Sequence, residues 1–257
     1  MLVIEPQSAV PVVRAFGIDG VQIASFPVII PEAKSTGVAA AARGSSGLVA
    51  VIGGSFDSEG RHSNFVALFP PDGGMTKIVV LKNYVPMLVA VAPDGSVWTA
   101  GIPYGKNSHV FCHFAPTGQR IGSSVSHNSF PVQDDIIDPR NRMAASSDRI
   151  GWFSAKAGRY IELSASSGAV TADIPSSEFT RDKEKVLGFA LTDDGRTFFD
   201  TVTTGGAPYI HNVYSLDAKT GILSPQAVPG FFYLMGGEGN RLIGELDNKI
   251  VSYDVVP

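Results

Sequence analysis

Strand–turn–strand patterns recur along most of this sequence, and their spacing constrains the fold more than any single segment does. The first pattern is an apolar strand, a short polar turn and a second apolar strand. It occurs five times, with turn positions at Gly47, Gly95, Arg149, Gly195 and Asn240. Successive turns lie 45 to 54 residues apart. A regular period of this length is typical of repeat architectures.

A second strand–turn–strand pattern alternates with the first, with turns at Gly20, Gly73, Gly118, Gly168 and Gly221. Glycine suits these turns because they require a positive φ, where a side chain would clash. Two alternating hairpins in about 48 residues make a four-stranded antiparallel sheet, the unit of a β-propeller blade. A β-sandwich also contains many hairpins but does not require this period. The sequence therefore predicts an all-β propeller.

The number of blades is harder to predict than the fold class. Five hairpins of each pattern fit five four-stranded antiparallel blades, in one domain over residues 1–257, with the N-terminal strands completing the last blade. That arrangement leaves one strand over, at 249–256, so a six-bladed ring is the alternative. We favour five blades.

Two segments carry a resemblance to a known group of repeats. VAPDGSVWTAG at 91–101 and VYSLDAKTG at 213–221 resemble bacterial propeller repeats of the NHL and YVTN type. The resemblance extends over nearly the whole chain, and it implies the propeller fold. It implies no single activity, because that superfamily includes lyases, lactonases, sensor domains and plain scaffolds.

Charge and cysteine content exclude several classes of function. The net charge is −4 and charged residues make up 17% of the chain, so a dedicated nucleic-acid binder with a basic surface is not expected. Cys112 is the single cysteine, which excludes an intrachain disulfide and a cysteine-rich zinc site. There is no apolar stretch long enough for a membrane span. The first residues lack the features of a signal peptide, so we expect a protein that is cytoplasmic or exported with its signal removed. We also expect it to be soluble and monomeric.

Long connections are predicted at one end of the blades. In a four-stranded blade the two hairpin turns share one end, here the turn end, and the other connections share the opposite end, here the loop end. The predicted long connections all fall at the loop end, at 53–63, 101–108, 126–140, 175–185 and 203–208. Binding residues concentrate on long loops of a rigid scaffold. We therefore expect the function at the loop end.

Histidines and one tyrosine follow the same distribution. His62, His109, His127 and His211 lie in or beside these connections, and Tyr104 lies within 101–108. Such a set could orient a polar ligand or titrate near neutrality. The same distribution arises if loops simply hold polar residues, and no HxH or HExxH spacing favours a metal. We expect neither a metal nor another cofactor.

The densest charged segment contains Asp134, Asp135 and Asp138, followed by Arg140 and Arg142. Glycosidases use paired carboxylates, and Asp138 and Glu184 could serve as such a pair from neighbouring blades. Local Asp–Arg pairing on a solvated loop is the simpler interpretation.

Two functions remain open from the sequence. The first is a non-catalytic scaffold that binds a protein, a peptide or a small polar ligand at the loop end. The alternative is a hydrolase or lyase, glycosidase-like or lactonase-like, acting in a central pocket at that end. Convergence of Asp138, His109, His127 and His211 would favour the enzyme.

Overall fold

The computed structural model describes residues 1–5, 10–17, 19–72, 74, 76–105, 108–130, 132–175, 184–203, 210–228, 232–247 and 249–255, with Glu184 described by its backbone alone. Within these ranges the chain forms 22 β-strands in six antiparallel sheets. The chain divides into two compact units, Met1–Ile137 and Asp138–Pro257. Each unit contains three sheets, and no helix in the described ranges is long and apolar enough to cross a membrane.

Unit 1, Met1–Ile137, contains sheets 1 to 3. Sheet 1 consists of β1 (Leu2–Glu5), β2 (Val12–Phe16) and β3 (Gln22–Pro27). Sheet 2 consists of β4 (Ala33–Arg43), β5 (Val49–Asp57), β6 (His62–Phe69) and β7 (Lys77–Leu81). Sheet 3 consists of β8 (Tyr84–Val91), β9 (Val97–Pro103), β10 (His109–Phe114) and β11 (Arg120–Ser126). A 3-10 turn (His127–Ser129) and the short helix α1 (Asp134–Ile137) follow β11.

Unit 2, Asp138–Pro257, contains sheets 4 to 6. Sheet 4 consists of β12 (Arg142–Ser146), β13 (Arg149–Ser154), β14 (Arg159–Ser164) and β15 (Val170–Pro175). Sheet 5 consists of β16 (Glu184–Leu191), β17 (Thr197–Thr203), β18 (His211–Leu216) and β19 (Leu223–Pro225). Sheet 6 consists of β20 (Tyr233–Glu238), β21 (Arg241–Leu246) and β22 (Lys249–Asp254).

The hairpin turns lie close to where the repeat predicts them, although Arg149 is the first residue of β13 and its turn is formed by residues 147 and 148. Gly47 and Gly95 connect the first two strands of sheets 2 and 3, with φ of +83° and +82°. A side chain is strained at such angles, which explains why glycine recurs there. Five more predicted turn glycines also have positive φ, namely Gly20, Gly118, Gly168, Gly195 and Gly221. The predicted turn position Gly73 lies outside the described residues.

Apolar side chains between neighbouring sheets form the core of each unit. In unit 1, sheets 2 and 3 bury Ile52, Val66 and Phe114 in one cluster, together with the single cysteine, Cys112, which is 1% exposed. In unit 2, Phe153 of sheet 4 packs edge-on against Phe199 of sheet 5, with ring centroids 5.2 Å apart. Burying such large aromatic side chains supplies much of the driving force for folding.

The six sheets correct the expectation of five blades. The short segment Leu2–Glu5 is a strand that pairs with Val12–Phe16, and Lys249–Asp254 pairs with Arg241–Leu246. The first and last hairpins therefore belong to two separate three-stranded sheets, and the six-bladed alternative is the right one. In the described strands the N-terminal segment does not complete the last sheet, contrary to expectation. The single domain over 1–257 stays a prediction.

One predicted long loop is instead a tight hairpin. Strands β5 and β6 extend through most of 53–63, and only residues 58–61 remain in the turn. Asp57 stabilises this turn, because its Oδ1 accepts hydrogen bonds from the backbone N–H groups of Glu59 and Arg61, both at 2.9 Å. His62 is consequently the first residue of a strand.

Candidate functional site

In unit 1, two connections at the loop end of sheet 3 are tied to each other. The backbone N–H of His127 donates to the carbonyl of Ser108 at 2.6 Å, and the Ser108 hydroxyl donates to the carbonyl of Tyr104 at 3.0 Å. Phe130 and Ile136 are 1% and 2% exposed and anchor the connection that follows β11. Helix α1 packs against β9, the strand that Tyr104 directly follows.

These tied connections present large apolar side chains to solvent. Tyr104, Val132 and Ile137 are 55%, 48% and 37% exposed. Asp134 is exposed and Asp135 half-buried on α1. His109, the first residue of β10, pairs with Ser126, the last residue of β11, and His127 directly follows Ser126. We call this set the loop patch; it comprises Tyr104, His109, His127, Val132, Asp134, Asp135 and Ile137. Its chemistry suits contact with an apolar side chain flanked by positive charge.

In unit 2, the best-defined polar arrangement is a buried Asp–His pair. Asp200, on β17, is 0% exposed, and Nδ1 of His211, the first residue of β18, lies 2.9 Å from its Oδ2 and 3.1 Å from its Oδ1. The backbone N–H of Leu234, on β20, donates to Oδ2 at 3.2 Å. Burial raises the pKa of Asp200 to about 6, although the hydrogen bond from His211 acts in the opposite direction.

An arginine and a tyrosine lie beside this pair. The ring of Tyr233 is edge-on to that of His211, with centroids 5.5 Å apart. Arg142 donates from Nε to the carbonyl of Leu187, and from Nη1 to the carbonyls of Pro139 and Asn141, all at 2.9 Å. Burial lowers the pKa of the Arg142 guanidinium, and Tyr233 and then Asp138 oppose this effect. We call this second set the unit 2 site; it comprises Arg142, Asp200, His211 and Tyr233.

The acidic residue on which the glycosidase hypothesis depends is engaged in a local ion pair. Arg140 donates from Nε to Oδ1 of Asp138 at 2.9 Å and from Nη2 to Oδ2 at 2.6 Å. This hydrogen bonding lowers the pKa of Asp138, so its carboxyl is ionised at neutral pH. The side chain of Glu184, the suggested second carboxylate, lies outside the described residues.

The structure brings together some of the predicted site residues and separates others. Tyr104, His109, His127, Asp134 and Asp135 share the loop patch, and Asp138 pairs with Arg140. His62 lies apart on β6, with its ring 4.9 Å from that of Phe56. The four residues whose convergence would favour an enzyme are divided between the units, so their convergence stays a prediction. No three His, Cys, Asp or Glu side chains within the described ranges could hold a metal ion.

Sequence reasoning missed Asp200 and Tyr233 and treated Arg142 as a loop charge. Asp200 did leave a signal, because it is an acidic residue inside the otherwise uncharged strand TFFDTVT. Tyr233 left none, because a tyrosine at the start of a strand is commonplace. A separate groove of about 680 Å³ in unit 1, between β3 and the connection from β6 to β7, is lined by none of the predicted site residues.

Comparison with known proteins identifies the fold. No protein-family model and no curated protein matches the chain. A solved nidogen–laminin complex matches with a TM-score of 0.55 and 9% identity, over 99% of this chain and 89% of that one. The β-propeller domain of the trilobed protease from Pyrococcus furiosus matches with a TM-score of 0.52 and 11% identity, over 85% and 69%. Acylaminoacyl peptidase from Pyrococcus horikoshii matches with a TM-score of 0.54 and 12% identity, over 86% of this chain and 39% of the peptidase.

At these identities the likeness shows the fold alone. The chain is an all-β protein of the β-propeller class, with six blades of three or four antiparallel strands. The resemblance to NHL and YVTN repeats has no support from family models. Proteins with this fold include both a propeller found with a binding partner and peptidases, so the fold does not choose between binding and catalysis.

Proposed function

We propose that this protein is a non-catalytic propeller that binds a protein or peptide through the loop patch. The observation that carries this proposal is the joint exposure of Tyr104, Val132 and Ile137 on connections that are tied by hydrogen bonds. Exposed apolar residues that cluster beside polar ones are typical of interaction sites. Tyrosine is enriched at interfaces because it adds a large contact area with few rotatable bonds.

The chemistry of the patch favours one kind of partner. Asp134 and Asp135 lie beside the exposed apolar groups, and the chain as a whole has a net charge of −4. A segment with an aromatic or aliphatic anchor and flanking Lys or Arg residues would complement this surface. The hydrogen bonds that tie the connections reduce the ordering cost of binding. The nidogen–laminin complex, which has a similar fold, supports a protein partner by analogy.

Hydrolase or lyase activity is the second candidate, and the Asp200–His211 pair favours it. A carboxylate that holds Nδ1 of a histidine leaves Nε2 available to accept a proton, as in many hydrolases. The likeness to an acylaminoacyl peptidase is compatible with this candidate, although the chain spans 39% of that enzyme. The glycosidase version is the weaker one, because Asp138 is ionised and paired with Arg140.

Selection of peptides from a random displayed library, followed by fluorescence anisotropy, tests the binding proposal. We expect selected peptides to contain an apolar anchor flanked by basic residues. Tyr104→Ser and Ile137→Ser should each weaken their binding about tenfold, which corresponds to about 1.4 kcal/mol. Val21→Ser is the matched control, because Val21 is 59% exposed but lies in a turn at the turn end of sheet 1.

Two outcomes would contradict the proposal. Peptides that bind the Tyr104→Ser and Ile137→Ser variants as tightly as the original chain would move the interaction elsewhere. Selection of acidic peptides would contradict the charge argument. A screen of ester, lactone and glycoside substrates with the wild-type chain and His211→Gln tests the hydrolase candidate, which requires turnover that the variant loses.

A further inference from the structure

The inner strands of the three sheets in unit 2 bring polar groups to one place. Arg142 and Tyr233 are the first residues of β12 and β20, and the carbonyl that Arg142 Nε contacts belongs to Leu187 on β16. The next residue, Gly188, pairs with Asp200 across β16 and β17. The Arg142 guanidinium therefore binds β16 one residue away from the position that pairs with Asp200 on β17.

The positive charge of Arg142 has no counter-ion of its own among the described residues. Its hydrogen bonds go to three neutral carbonyls, and Nη2 has no acceptor within the described ranges. The acidic group that influences its pKa, Asp138, has both carboxylate oxygens bound by Arg140. A partly buried cation that only carbonyls satisfy retains its charge, and holding it there costs free energy unless an anion compensates.

His211 and Tyr233 offer two more donors at the same place. Asp200 holds the Nδ1 side of the His211 ring, so Nε2 is on the opposite side, and the side chain keeps 17% of its surface exposed. Tyr233 contacts His211 through its ring and interacts electrostatically with Arg142. Neither Nε2 of His211 nor the Tyr233 hydroxyl has a hydrogen-bond partner among described groups.

We propose that the unit 2 site binds a small ligand through an oxyanion, a carboxylate or a phosphate ester, with Arg142 Nη2, the Tyr233 hydroxyl and the Nε2–H of the protonated His211 ring as its donors. Guanidinium groups suit planar and tetrahedral oxyanions because their N–H groups are arranged as a fork. Asp200 is a positioning residue, since it fixes the His211 ring and lies away from the ligand. This site and the loop patch share no residue, so one proposal can fail while the other stands.

Side-chain NMR of His211 with simple anions tests this proposal. The probes are sodium succinate and inorganic phosphate, titrated at constant ionic strength against sodium chloride, with the 15N and 1H shifts of the His211 ring as the readout. We expect saturable shifts that chloride does not produce. A response to succinate alone identifies a carboxylate ligand, a response to phosphate alone a phosphate ester, and a response to both a general oxyanion site.

Matched variants locate the binding. Arg142→Gln should weaken succinate or phosphate binding about tenfold or more, and Tyr233→Phe should weaken it severalfold while leaving the fold unchanged. Arg241→Gln is the control, because Arg241 is 60% exposed on β21 and pairs with Asp254. Shifts that do not saturate, that chloride reproduces, or that Tyr233→Phe leaves unchanged would overturn the proposal. If Arg142→Gln does not fold, the effect of Tyr233→Phe on succinate or phosphate binding tests the proposal by itself.

Discussion

Asp200 combines two roles that sequence position alone would not suggest. Its carboxylate orients His211 and accepts the N–H of Leu234, so it connects β17 to β18 and to β20. The same burial that makes these contacts specific also makes the ionised form expensive. Among the described residues, His211 is the titratable side chain that contacts Asp200, and the ring of Tyr233 packs against His211 in turn. A single residue therefore links the proposed ligand site to the stability of unit 2.

The raised pKa of Asp200 predicts a characteristic dependence of stability on pH. The folded chain holds the Asp200 proton up to about pH 6, whereas an unfolded aspartate loses it near pH 3.9. The contribution of Asp200 is therefore largest below about pH 4 and is lost as the pH rises to about 6. We expect Asp200→Asn to gain about 2 kcal/mol in free energy of unfolding, relative to wild type, between pH 4 and pH 7.

Urea denaturation at pH values from 4 to 7 measures this gain. Asp173→Asn is the control, because the Asp173 carboxylate is 40% exposed and pairs with Arg159 on the neighbouring strand. Its difference from wild type should not follow the Asp200 profile. A constant difference between Asp200→Asn and wild type across the range would refute the assigned direction.

At the scale of elements, a largely buried ion pair within sheet 4 involves an arginine that also hydrogen-bonds to the chain following β16 of sheet 5. Arg149, on β13, donates from Nη1 to Oε2 of Glu162 on β14 at 3.0 Å and from Nη2 to the carbonyl of Thr192, which follows β16, at 2.9 Å. The Tyr160 hydroxyl also donates to Oε2 of Glu162, at 2.7 Å. The Arg149 and Glu162 side chains are only 17% and 10% exposed.

Breaking this ion pair should destabilise the protein strongly. Glu162→Gln leaves the Arg149 charge buried without its counter-ion, and we expect a loss of about 3 kcal/mol in free energy of unfolding. Asp254→Asn removes one partner of an exposed pair with Arg241 and should cost less than about 1 kcal/mol. Chemical denaturation of both variants checks the contrast. Equal losses in the free energy of unfolding would mean that burial does not determine how much these ion pairs contribute to stability.

The elements that sequence could predict are those determined by local contacts. The turns at Gly47 and Gly95 require a positive φ, and glycine between two apolar strands indicates such an angle in the local sequence. Their positions were therefore predicted correctly. The predicted count of five blades was wrong, because the count depends on which strands Leu2–Glu5 and Lys249–Asp254 pair with. A strand of four to six residues does not encode that choice by itself.

The candidate sites divide in the same way. The exposure of Tyr104 and Asp134 could be predicted, because the repeat places both residues in connections between strands. Asp200 was not, because its partners His211 and Leu234 are 11 and 34 residues away and meet it only in the folded sheets. Leu187, whose carbonyl Arg142 contacts, lies 45 residues from Arg142 in the chain, so the local sequence does not indicate that contact either.

At the scale of the whole molecule, the last strand of every sheet carries a residue that discourages pairing with another chain. Strands β3, β15 and β19 end in Pro27, Pro175 and Pro225. Strands β7, β11 and β22 begin with a basic residue, namely Lys77, Arg120 or Lys249. Proline lacks the N–H that a new strand would need, and Lys or Arg opposes burial of the edge.

These edges predict that the chain stays monomeric. Light scattering after size exclusion should give the mass of one chain, 27.1 kDa. The combined substitution Pro27→Val, Pro175→Val and Pro225→Val should increase self-association, whereas Pro116→Val, within a turn, should not. A wild-type dimer, or a triple variant that stays monomeric at high concentration, would contradict this explanation of the edges.

The burial of Cys112 has a practical consequence for chemical labelling. Its side chain is 1% exposed, and burial raises the pKa of the thiol, so little reactive thiolate is present at neutral pH. Lys219, in the exposed turn between β18 and β19, can be replaced by cysteine to give a single reactive thiol. A fluorophore or surface linker attached there would report on binding from the turn end, without modifying any residue of the loop patch or the unit 2 site.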